Sequence, residues 1–453
     1  MTITKTKERI DNFGEVYTPT YLVNECLKHI PDLSDPDIKI LEPSCGNGQF
    51  VIGIIDRLLV HHDIKYIIEN IIYAIDIQSD NIDELKLRLN DTYNINVDTM
   101  DHNLYDYDSL MTKHESIIPF SNELVLPKFD LIISNPPYNI NNIVNRDHPV
   151  YTRLGRGKFG SSAFMLHYAD FLKPDGRSFW LIPVNILSLL SAELFRTNIT
   201  LAGSITDIWT YDKPVEWKHI LLPSLLGLMC FQKAVGLPYS VNDREMGHPV
   251  GGLYYMPKNQ IEYEILKKYQ SHKTNKKLFF SGHQTITKKY MVDGEIYKGH
   301  LETKDTFTNI SLRSYDINHD VEAAPCINGI NKKTKDYNYC YCKPTHLQDI
   351  TVPKVGFVRI IHKHNGFDAY EVPLGYYAAN TDLIIGDPEY ILYYLHSKAY
   401  NTFYQIMFPS KYANRQMAHV DIWEYNVDPY EVYGFNQEEI DYIENLSVMN
   451  GYM

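Results

Sequence analysis

The sequence predicts an α/β protein whose first half forms a mostly parallel, doubly wound sheet. Three apolar runs support this fold class: Ile38 to Leu41, Ile71 to Ile77 and Phe129 to Ser134. They are short and rich in β-branched residues, as expected of strands buried on both faces of a parallel sheet. An apolar helix start follows the first run, and alternation of strand and helix is typical of such sheets.

The same pattern continues beyond the third run. A helix is predicted over Ser161 to Lys173, a turn over Pro174 to Arg177, and two more apolar strands over Ser178 to Pro183 and Leu225 to Phe231. The order of these elements extends the sheet.

The tetrapeptide Asn135-Pro136-Pro137-Tyr138 follows the third run directly. Its prolines end strand pairing and hold the next residues extended, at the edge of the sheet where ligands bind. The Asn135 side-chain oxygen and the Pro136 carbonyl can accept the two protons of an exocyclic NH2 group, and Tyr138 can stack on the ring that carries it. The structural alternative is an ordinary turn that closes a strand.

Gly46 and Gly48 form a turn after the first strand, where backbone can approach a ligand without a Cβ clash. It is not a P-loop, because no Gly-Lys-Ser/Thr follows, and the third glycine of a dinucleotide fingerprint is missing. Glu42 instead places a carboxylate beside the turn. We therefore expect a ligand with a cationic end, such as an ammonium or a sulfonium.

Asp76 ends the second apolar run, where a Rossmann-type sheet holds ribose hydroxyls. Such charge-assisted hydrogen bonds are each worth about 1–3 kcal/mol. The structural alternative for Asp76 is a helix cap before Asn81 to Leu87.

The segment from Glu42 to Gly48, followed by Asn135 to Tyr138, resembles the S-adenosylmethionine-dependent DNA adenine-N6 methyltransferases. The order of motifs looks like their gamma class, and Gly14 to Pro19 is similar to that class's amino-terminal motif, a Thr-Pro before a helix over the cofactor. The resemblance covers residues 12 to 235. It implies a Rossmann-like methyltransferase domain over residues 1–236 and an α+β target-recognition, DNA-binding domain over residues 237–453.

The resemblance implies S-adenosyl-L-methionine as cofactor. Thr18, Glu42 and Ser44 would line its methionine moiety, beside the turn of Gly46 and Gly48.

Asp76 and Ile77 would hold the ribose and one face of the cofactor's adenine. An acid on the third strand would bind the adenine amino group. Asp101 is the first candidate and Asn103 the second, because residues 98–108 align in more than one register.

The implied reaction transfers the methyl group to the exocyclic amine of a target adenine, and it needs neither a nucleophile nor a metal. Asn135 and Pro136 would draw the amine towards tetrahedral geometry. The adenine must leave the duplex to reach them, so base flipping is implied, with Tyr138 replacing lost stacking. Phe195 is a candidate for a second aromatic on the base, although its surroundings depart from the family's usual pattern.

Charge bears on the expected partner, double-stranded DNA. The formal net charge is −13, but residues 13–150 hold 22 acids against 9 basic residues and so carry that whole excess. The segment Asn139 to Ser162 is basic beside the catalytic motif, and we expect it to contact phosphates. Its basic residues are Arg146, Arg153, Arg156 and Lys158, against Asp147 alone. The alternative is a solvated surface loop.

The second half interleaves lysines with tyrosine and asparagine, which fits a nucleic-acid surface. One basic stretch consists of Lys258, Lys267, Lys268, Lys273, Lys276, Lys277, Lys288, Lys289 and Lys298, and another of Lys332, Lys333 and Lys335. The segments Tyr390 to Lys398 and Lys411 to Gln416 are similar to the closing part of recognition domains in this family. For any single lysine a solvated face is the alternative, and no base contact is assigned.

Composition agrees with a soluble chain of two domains: 453 residues, 44% hydrophobic and 22% charged. The lack of a long apolar run and the polar start indicate neither membrane nor secretory signal, and six cysteines then indicate reduced thiols in the cytoplasm. Cys326, Cys340, Cys342 and His346 could hold zinc, but their spacing fits no common finger, so we expect unpaired thiols and no metal.

Other functions share the tetrapeptide. RNA adenine-N6 methyltransferases and protein glutamine-N5 methyltransferases act on a similar conjugated NH2, and a cofactor- or DNA-binding module without activity is a further alternative. The amino-terminal Thr-Pro motif and the long basic second half favour DNA. The enzyme would act alone or as the modification part of a restriction-modification system with a separate endonuclease, since the two regions use nearly all residues and leave no room for a nuclease domain.

Overall fold

The computed structural model describes most of the first 271 residues and shorter stretches after them. The described ranges are 17–115, 123–138, 150–154, 160–188, 192–217, 225–249, 252–271, 279–280, 289–292, 295–298, 324–330, 336–342, 350–357, 360–361, 369–378, 382–385, 387–407, 415–416 and 429–449. Two compact units divide the chain, Met1–Tyr255 and Met256–Met453.

The first unit alternates strands and helices, as the sequence predicts. Its strands are β1 Ile40–Glu42, β2 Ile72–Asp76, β3 Asn103–Asp106, β4 Lys113–His114, β5 Val125–Leu126, β6 Phe129–Ser134, β7 Leu172–Pro183, β8 Ser204–Tyr211, β9 Leu226–Gln232, β10 Tyr239–Val241 and β11 Arg244–Gly247. Its helices are α1 Thr20–Leu27, α2 Gln49–Leu58, α3 Ile64–Tyr66, α4 Ser79–Tyr93, α5 Val150–Leu154, α6 Gly160–Tyr168 and α7 Glu193–Ala202. A π-helical turn, Ile67–Ile71, leads into β2, and short 3-10 turns lie at Val97–Thr99, Ser109–Met111, Ala169–Phe171, Val184–Leu187 and Val215–Trp217.

Nine of these strands form one sheet in the order β11-β10-β8-β9-β7-β6-β1-β2-β3. The pairs β7–β6, β6–β1, β1–β2, β2–β3 and β10–β8 are parallel, whereas β7–β9, β8–β9 and β10–β11 are antiparallel. This mostly parallel sheet with helices confirms the predicted fold class. From β1 the chain adds β2 and β3 on one side and later β6 and β7 on the other, so the order of strands reverses between β1 and β6. That switch point is where open α/β sheets bind ligands.

The hydrophobic core explains why the runs in the sequence become central strands. Leu131, Ile132 and Ile133 of β6 are all 0% exposed, so both faces of the strand are covered. The amphipathic helix α2 buries Phe50, Val51, Ile54, Ile55 and Leu58 against the sheet. Burial of such side chains contributes about 1.5–3 kcal/mol each.

Three boundaries lie elsewhere than the sequence suggested. Helix α6 begins at Gly160 and ends at Tyr168, after which the chain forms a 3-10 turn and enters β7 at Leu172. The predicted turn at 174–177 lies within β7, where the register against β6 shifts between Phe129 and Leu131. The first unit reaches Tyr255 instead of residue 236, because β10 and β11 still belong to its sheet.

The second unit mixes helices with small sheets. Its strands are β12 Phe279–Phe280, β13 Lys289–Val292, β14 Glu295–Lys298, β15 Ala324–Ile330, β16 Tyr337–Cys342, β17 Lys354–Phe357, β18 Ile360–Ile361, β19 Ala369–Val372, β20 Tyr377–Ala378, β21 Asp382–Ile385 and β22 Arg415–Gln416. Its helices are α8 Gln260–Ser271, α9 Pro388–His396, α10 Lys398–Met407, α11 Pro429–Val432 and α12 Gln437–Met449. The larger sheets run β12-β21-β17-β19 and β16-β15-β20. Polar contacts join α8 to α12: Lys268 pairs with Glu439 at 2.6 Å, and Tyr442 donates to Glu262 at 2.8 Å.

Gly48 is the residue on which the turn before α2 depends, and replacing it with alanine should destabilise the first unit. Its φ is +84°, and an added Cβ would overlap Cδ1 of Leu85, which is 0% exposed. We expect Gly48→Ala to cost about 2–5 kcal/mol, the sum of a left-handed backbone penalty and an overpacked core. The matched control is Gly236→Ala, because Gly236 has a φ of +75° and nothing within 4 Å; it should cost only about 1–2 kcal/mol. Denaturant unfolding measures both, and equal losses would contradict the packing argument.

Candidate active site

The carboxyl ends of β1, β2 and β6 bring three polar side chains to the switch point of the sheet. Glu42 ends β1, Asp76 ends β2 and Ser134 ends β6. All three are buried, with exposed fractions of 3%, 8% and 0%. Polar groups at such depth need partners, and their contacts define the site.

The turn that follows β1 is held by its backbone. Cys45 N–H donates to the Ile75 carbonyl at 2.9 Å, and Gly46 N–H donates to Asp76 Oδ2 at 2.9 Å. Gly46 has a φ of +51° and Gly48 a φ of +84°, which side-chain-bearing residues rarely adopt. This arrangement ties the turn to β2, so both predicted glycines have a structural requirement.

Burial raises the pKa of Glu42 to about 8, and the nearby Asp76 carboxylate adds to the rise. Hydrogen bonds from the Ser134 hydroxyl and the Ser44 N–H oppose it. The Ser44 and Ser134 hydroxyls also contact each other at 2.6 Å. Near neutral pH the carboxyl therefore holds a proton that a cationic ligand would displace.

Asp76 accepts several hydrogen bonds from the protein. Its Oδ1 receives Gln78 N–H at 2.9 Å and Asn81 Nδ2 at 3.0 Å, at the start of α4. The N-cap of α4 is Gln78, which makes no side-chain cap hydrogen bond, so these contacts are not the helix-cap role considered for Asp76. Beside it, Ile77 is 42% exposed, an unusual position for an isoleucine and one that offers an apolar face.

The nitrogen of the Asn135 amide forms a hydrogen bond, whereas its oxygen has no partner among the described residues. Its Nδ2 donates to Thr18 Oγ1 at 2.9 Å, and Thr18 is 4% exposed. Its Oδ1 is buried and has no hydrogen-bond partner among the described residues. A buried acceptor without a donor costs about 1–3 kcal/mol, so this oxygen is ready for a donor from a ligand.

Hydrogen bonds hold Tyr138 at its side-chain hydroxyl and at its backbone carbonyl. Its hydroxyl donates to the Leu181 carbonyl at 3.5 Å, and its own carbonyl accepts Gly160 N–H at 3.1 Å. The half-buried ring packs against the core, and burial raises the pKa of Tyr138, with Cys26 adding to the effect. The phenol therefore stays neutral. Of the two prolines, Pro136 is buried and Pro137 half-buried.

Residues 17–19, which we call the amino-terminal strap, cross the site. The Tyr17 hydroxyl donates to Asn81 Oδ1 at 3.2 Å, and the Tyr17 carbonyl accepts Trp217 Nε1–H at 2.9 Å. An added Cβ on Gly46 would lie 3.3 Å from the Tyr17 ring, so the ring covers the glycine turn. Sequence reasoning missed Trp217 and Ser134. Ser134 precedes the tetrapeptide and could have been suspected, whereas nothing in the sequence links Trp217 to Tyr17, 200 positions away.

The structure places both candidates for the third-strand acid, Asp101 and Asn103, away from the carboxyl end of β3. Asn103 begins β3 and lies level with Tyr73, whereas the residue level with Asp76 is Asp106. Asn103 is therefore three residues, about 10 Å, from the site end of the strand. It is bound there by the Glu69 carbonyl and the Tyr105 hydroxyl, and Asp101 is exposed before the strand begins.

Acids at the site end of β3 are Asp106 and Asp108. Asp108 Oδ1 caps the following 3-10 turn by accepting Leu110 N–H at 3.0 Å. The next residue, Ser109, donates its hydroxyl to the Pro43 carbonyl and so joins this turn to the glycine turn. Asp108 thus lies beside the loop that Glu42 and Ser44 flank.

The structure places Phe195, the candidate for a second aromatic on the base, in the core. It lies in α7, its side chain is 0% exposed, and it ranks among the largest fully buried side chains. Leaving the core to stack on a base would cost about 3–5 kcal/mol, which is the price of losing a buried aromatic. It is therefore a packing residue.

The predicted basic loop is only partly described. Arg153 lies in α5 and forms an ion pair with Asp170 at 3.8 Å. Arg146, Arg156 and Lys158 lie outside the described residues.

In the second unit, Lys258 and Lys267 are exposed, whereas Lys268 is engaged with Glu439. Lys289 and Lys298 are partners in the backbone register of β13 and β14. The other basic residues of the two predicted stretches, and His346, lie outside the described residues. Within the described ranges, no group of three or more His, Cys, Asp or Glu side chains is arranged to hold a metal ion. No helix in those ranges has the length and apolar character needed to cross a bilayer.

Comparison with known families found a match over the part of the chain that contains this site. Residues 3–200 match the family described as N-6 DNA Methylase, which covers just under half of the chain. This is the family whose motifs the sequence resembles. A search of curated proteins found no match.

Several solved structures are similar to this chain at low sequence identity. A DrdV–DNA complex is 12% identical, with a TM-score of 0.50 over 83% of this chain and 49% of that one. The type IIL restriction-modification enzyme MmeI in complex with DNA is 11% identical, over 98% and 73%, with a TM-score of 0.47. The type I methyltransferase subunit from Streptococcus thermophilus is 14% identical, over 58% and 54%, with a TM-score of 0.35. Three other similar structures are of a methyltransferase or of modification subunits. This chain covers 62%, 58% and 44% of their length.

Replacing the buried Glu42 carboxyl should change how stability depends on pH. The folded protein keeps the Glu42 proton up to about pH 8, whereas the ordinary value is 4.5, so the unfolded state loses it first. Stability of the ligand-free protein therefore falls as pH rises from about 4.5 to about 8, by up to about 5 kcal/mol. Glu42→Gln cannot lose a proton, so its melting temperature should exceed that of the wild type increasingly between pH 5 and pH 8.

Thermal scans across this range measure the effect, with Glu193→Gln, on the exposed side of α7, as a control for losing a surface carboxylate. A constant difference between Glu42→Gln and wild type at all pH values would contradict the assigned protonation.

Proposed function

We propose that the chain is a site-specific DNA adenine-N6 methyltransferase of the gamma type that uses S-adenosyl-L-methionine and acts on a flipped-out adenine in double-stranded DNA. The observation that carries the proposal is the buried, unpaired Asn135 Oδ1. It lies at the switch point of the sheet, after β6 and across from the turn of Gly46 and Gly48. An acceptor in this place suits the amino group of a conjugated base.

The residues at the switch point fit the proposed cofactor. Glu42 offers a negative charge to a cationic end once its proton is lost, and Ser44 lies beside it. Gly46 and Gly48 supply the positive φ angles that the turn beside them requires. Asp76 and the exposed face of Ile77 suit a ribose and an aromatic base. When bound, S-adenosylmethionine supplies an electrophilic methyl group on a sulfonium.

The chain's own contribution to the reaction is orientation. Asn135 Oδ1 and the Pro136 carbonyl accept the two protons of the target amine, which localises its lone pair. Neither acceptor becomes covalently bound. Tyr138 presents a neutral ring on which the extruded base can stack. Burial raises the pKa of Cys45, which keeps this neighbouring thiol protonated and unsuited to attack.

For the cofactor's adenine amino group we propose Asp108 in place of Asp101 and Asn103. Its contact with Leu110 N–H and the Ser109–Pro43 bond place it beside the glycine turn. A carboxylate there can accept from an amino group at the end of β3.

DNA as the partner is supported by the family match, and two of the similar proteins, DrdV and MmeI, were solved with DNA. We infer that the second unit recognises the target sequence, since the family match ends at residue 200. The enzyme would act alone or with a separate endonuclease, in the cytoplasm.

Expression in a host without adenine methylation tests the proposal. We expect nucleoside mass spectrometry of host DNA to show N6-methyladenine. Methylated adenine in RNA, or methylglutamine in protein, with unmodified DNA would assign the alternative substrates instead.

Asn135→Ala should abolish methyl transfer, because no side-chain acceptor remains for the amine. We expect at least about a 100-fold loss of tritium transfer to DNA, in line with the loss of one positioned polar group. Cofactor affinity should stay within a few-fold of wild type. Asn70→Ala, at an exposed asparagine of the same unit, is the control. Equal activity of Asn135→Ala and wild type would end the assignment.

Asp108→Ala should weaken cofactor binding, whereas Asp101→Ala should not. We expect a rise in the dissociation constant of about 10-fold for the first, typical of one hydrogen bond to a charged group, and less than about 2-fold for the second. Isothermal titration calorimetry with S-adenosylmethionine gives both constants. The reverse ranking would restore Asp101 as the third-strand acid.

A further inference from the structure

We propose that Thr18 is the positioning residue that fixes the orientation of the Asn135 amide, so that its oxygen is offered to the target amine. The inference rests on the proposed function. It gives Thr18 a role in methyl transfer that is separate from contact with the cofactor.

A primary amide has two ends of nearly equal shape and opposite hydrogen-bonding character. The oxygen accepts, while the nitrogen carries two donors. Turned by 180°, Asn135 would present N–H groups to the N–H groups of the target amine, and neither could accept. The reaction therefore needs a second contact that holds the amide with its nitrogen turned away from the target amine.

The hydroxyl of Thr18 provides that contact. Its Oγ1 accepts from Asn135 Nδ2 at 2.9 Å, which leaves Oδ1 without a partner among the described residues. With the target amine in place, every polar atom of the amide is then matched. In the reverse orientation Thr18 would have to donate to Oδ1, and Nδ2 would face the amine's own protons.

Thr18 can serve as a fixed reference because its neighbours hold it. The Tyr17 carbonyl is bound by Trp217 Nε1–H, and the Pro19 carbonyl accepts Leu22 N–H at 2.9 Å and Val23 N–H at 3.0 Å at the start of α1. Trp217 is itself 3% exposed in the core. The strap is thus anchored on both sides of Thr18, and the threonine side chain is buried between these anchors.

The test compares Thr18→Val, which keeps the shape but loses the hydroxyl, with Thr18→Ser, which keeps the hydroxyl. Single-turnover methyl transfer to DNA is measured with cofactor and DNA both saturating. We expect Thr18→Val to be slower by about 10-fold or more, since a buried donor of Asn135 loses its partner. Thr18→Ser should remain within about 3-fold of wild type. The cofactor dissociation constant of Thr18→Val should change by less than about 3-fold, which would not hold if Thr18 served the cofactor alone.

Thermal unfolding shows whether each variant is folded, and Thr18→Ala replaces Thr18→Val in the comparison if the valine variant does not fold. A wild-type rate for the variant without a hydroxyl overturns the proposal. A loss of rate that is seen only when cofactor is below saturation overturns it as well. Wild-type protein without transfer to DNA contradicts the proposed function, whereas active wild type with an equally active Thr18→Val contradicts only the positioning role.

Discussion

The hydrogen bond between Asn135 and Thr18 joins two segments that lie 117 positions apart. One is the strap before α1, and the other is the tetrapeptide after β6. Without this bond the amide nitrogen of Asn135 would lose its partner, and neither orientation of the amide would be favoured. Contacts on both segments support this bond. Trp217 binds the strap through the Tyr17 carbonyl, and Ser134 holds the end of β6 through its contact with Ser44.

The second constraint on the site is electrostatic. Glu42 and Asp76 are both acidic and both buried at adjacent strand ends, yet their surroundings differ. Asp76 is stabilised by backbone and amide donors from Gly46, Gln78 and Asn81, whereas burial dominates at Glu42. A cation bound between them would replace the proton on Glu42 and relieve this cost. Binding of a cationic ligand would therefore depend on the protonation state of the Glu42 carboxyl.

Local features of the sequence were sufficient to predict the fold class and the main motifs. A β-branched run such as Phe129 to Ser134 has few structural options, and glycines at 46 and 48 signal a tight turn directly. Glu42, Asp76 and Asn135 follow such runs immediately, so parallel strand order brings them together.

The sequence is least informative where the answer depends on contacts between distant segments. The residue opposite Asp76 is set by the register of β3 against β2, and an acidic stretch from 98 to 108 does not reveal that register. The burial of Phe195 depends on how α7 packs, which the residues around it do not reveal. The contacts of Trp217 with Tyr17, and of β10 with β8, join segments whose pairing no local pattern encodes.

A crystal structure with the unreactive cofactor analogue sinefungin would test the central claim most directly. The account predicts that Asn135 Nδ2 remains bound to Thr18 and that Oδ1 lies on the side of the ligand, without a protein donor. An amide found turned over, with its oxygen bonded to the protein and directed away from the ligand, would contradict it.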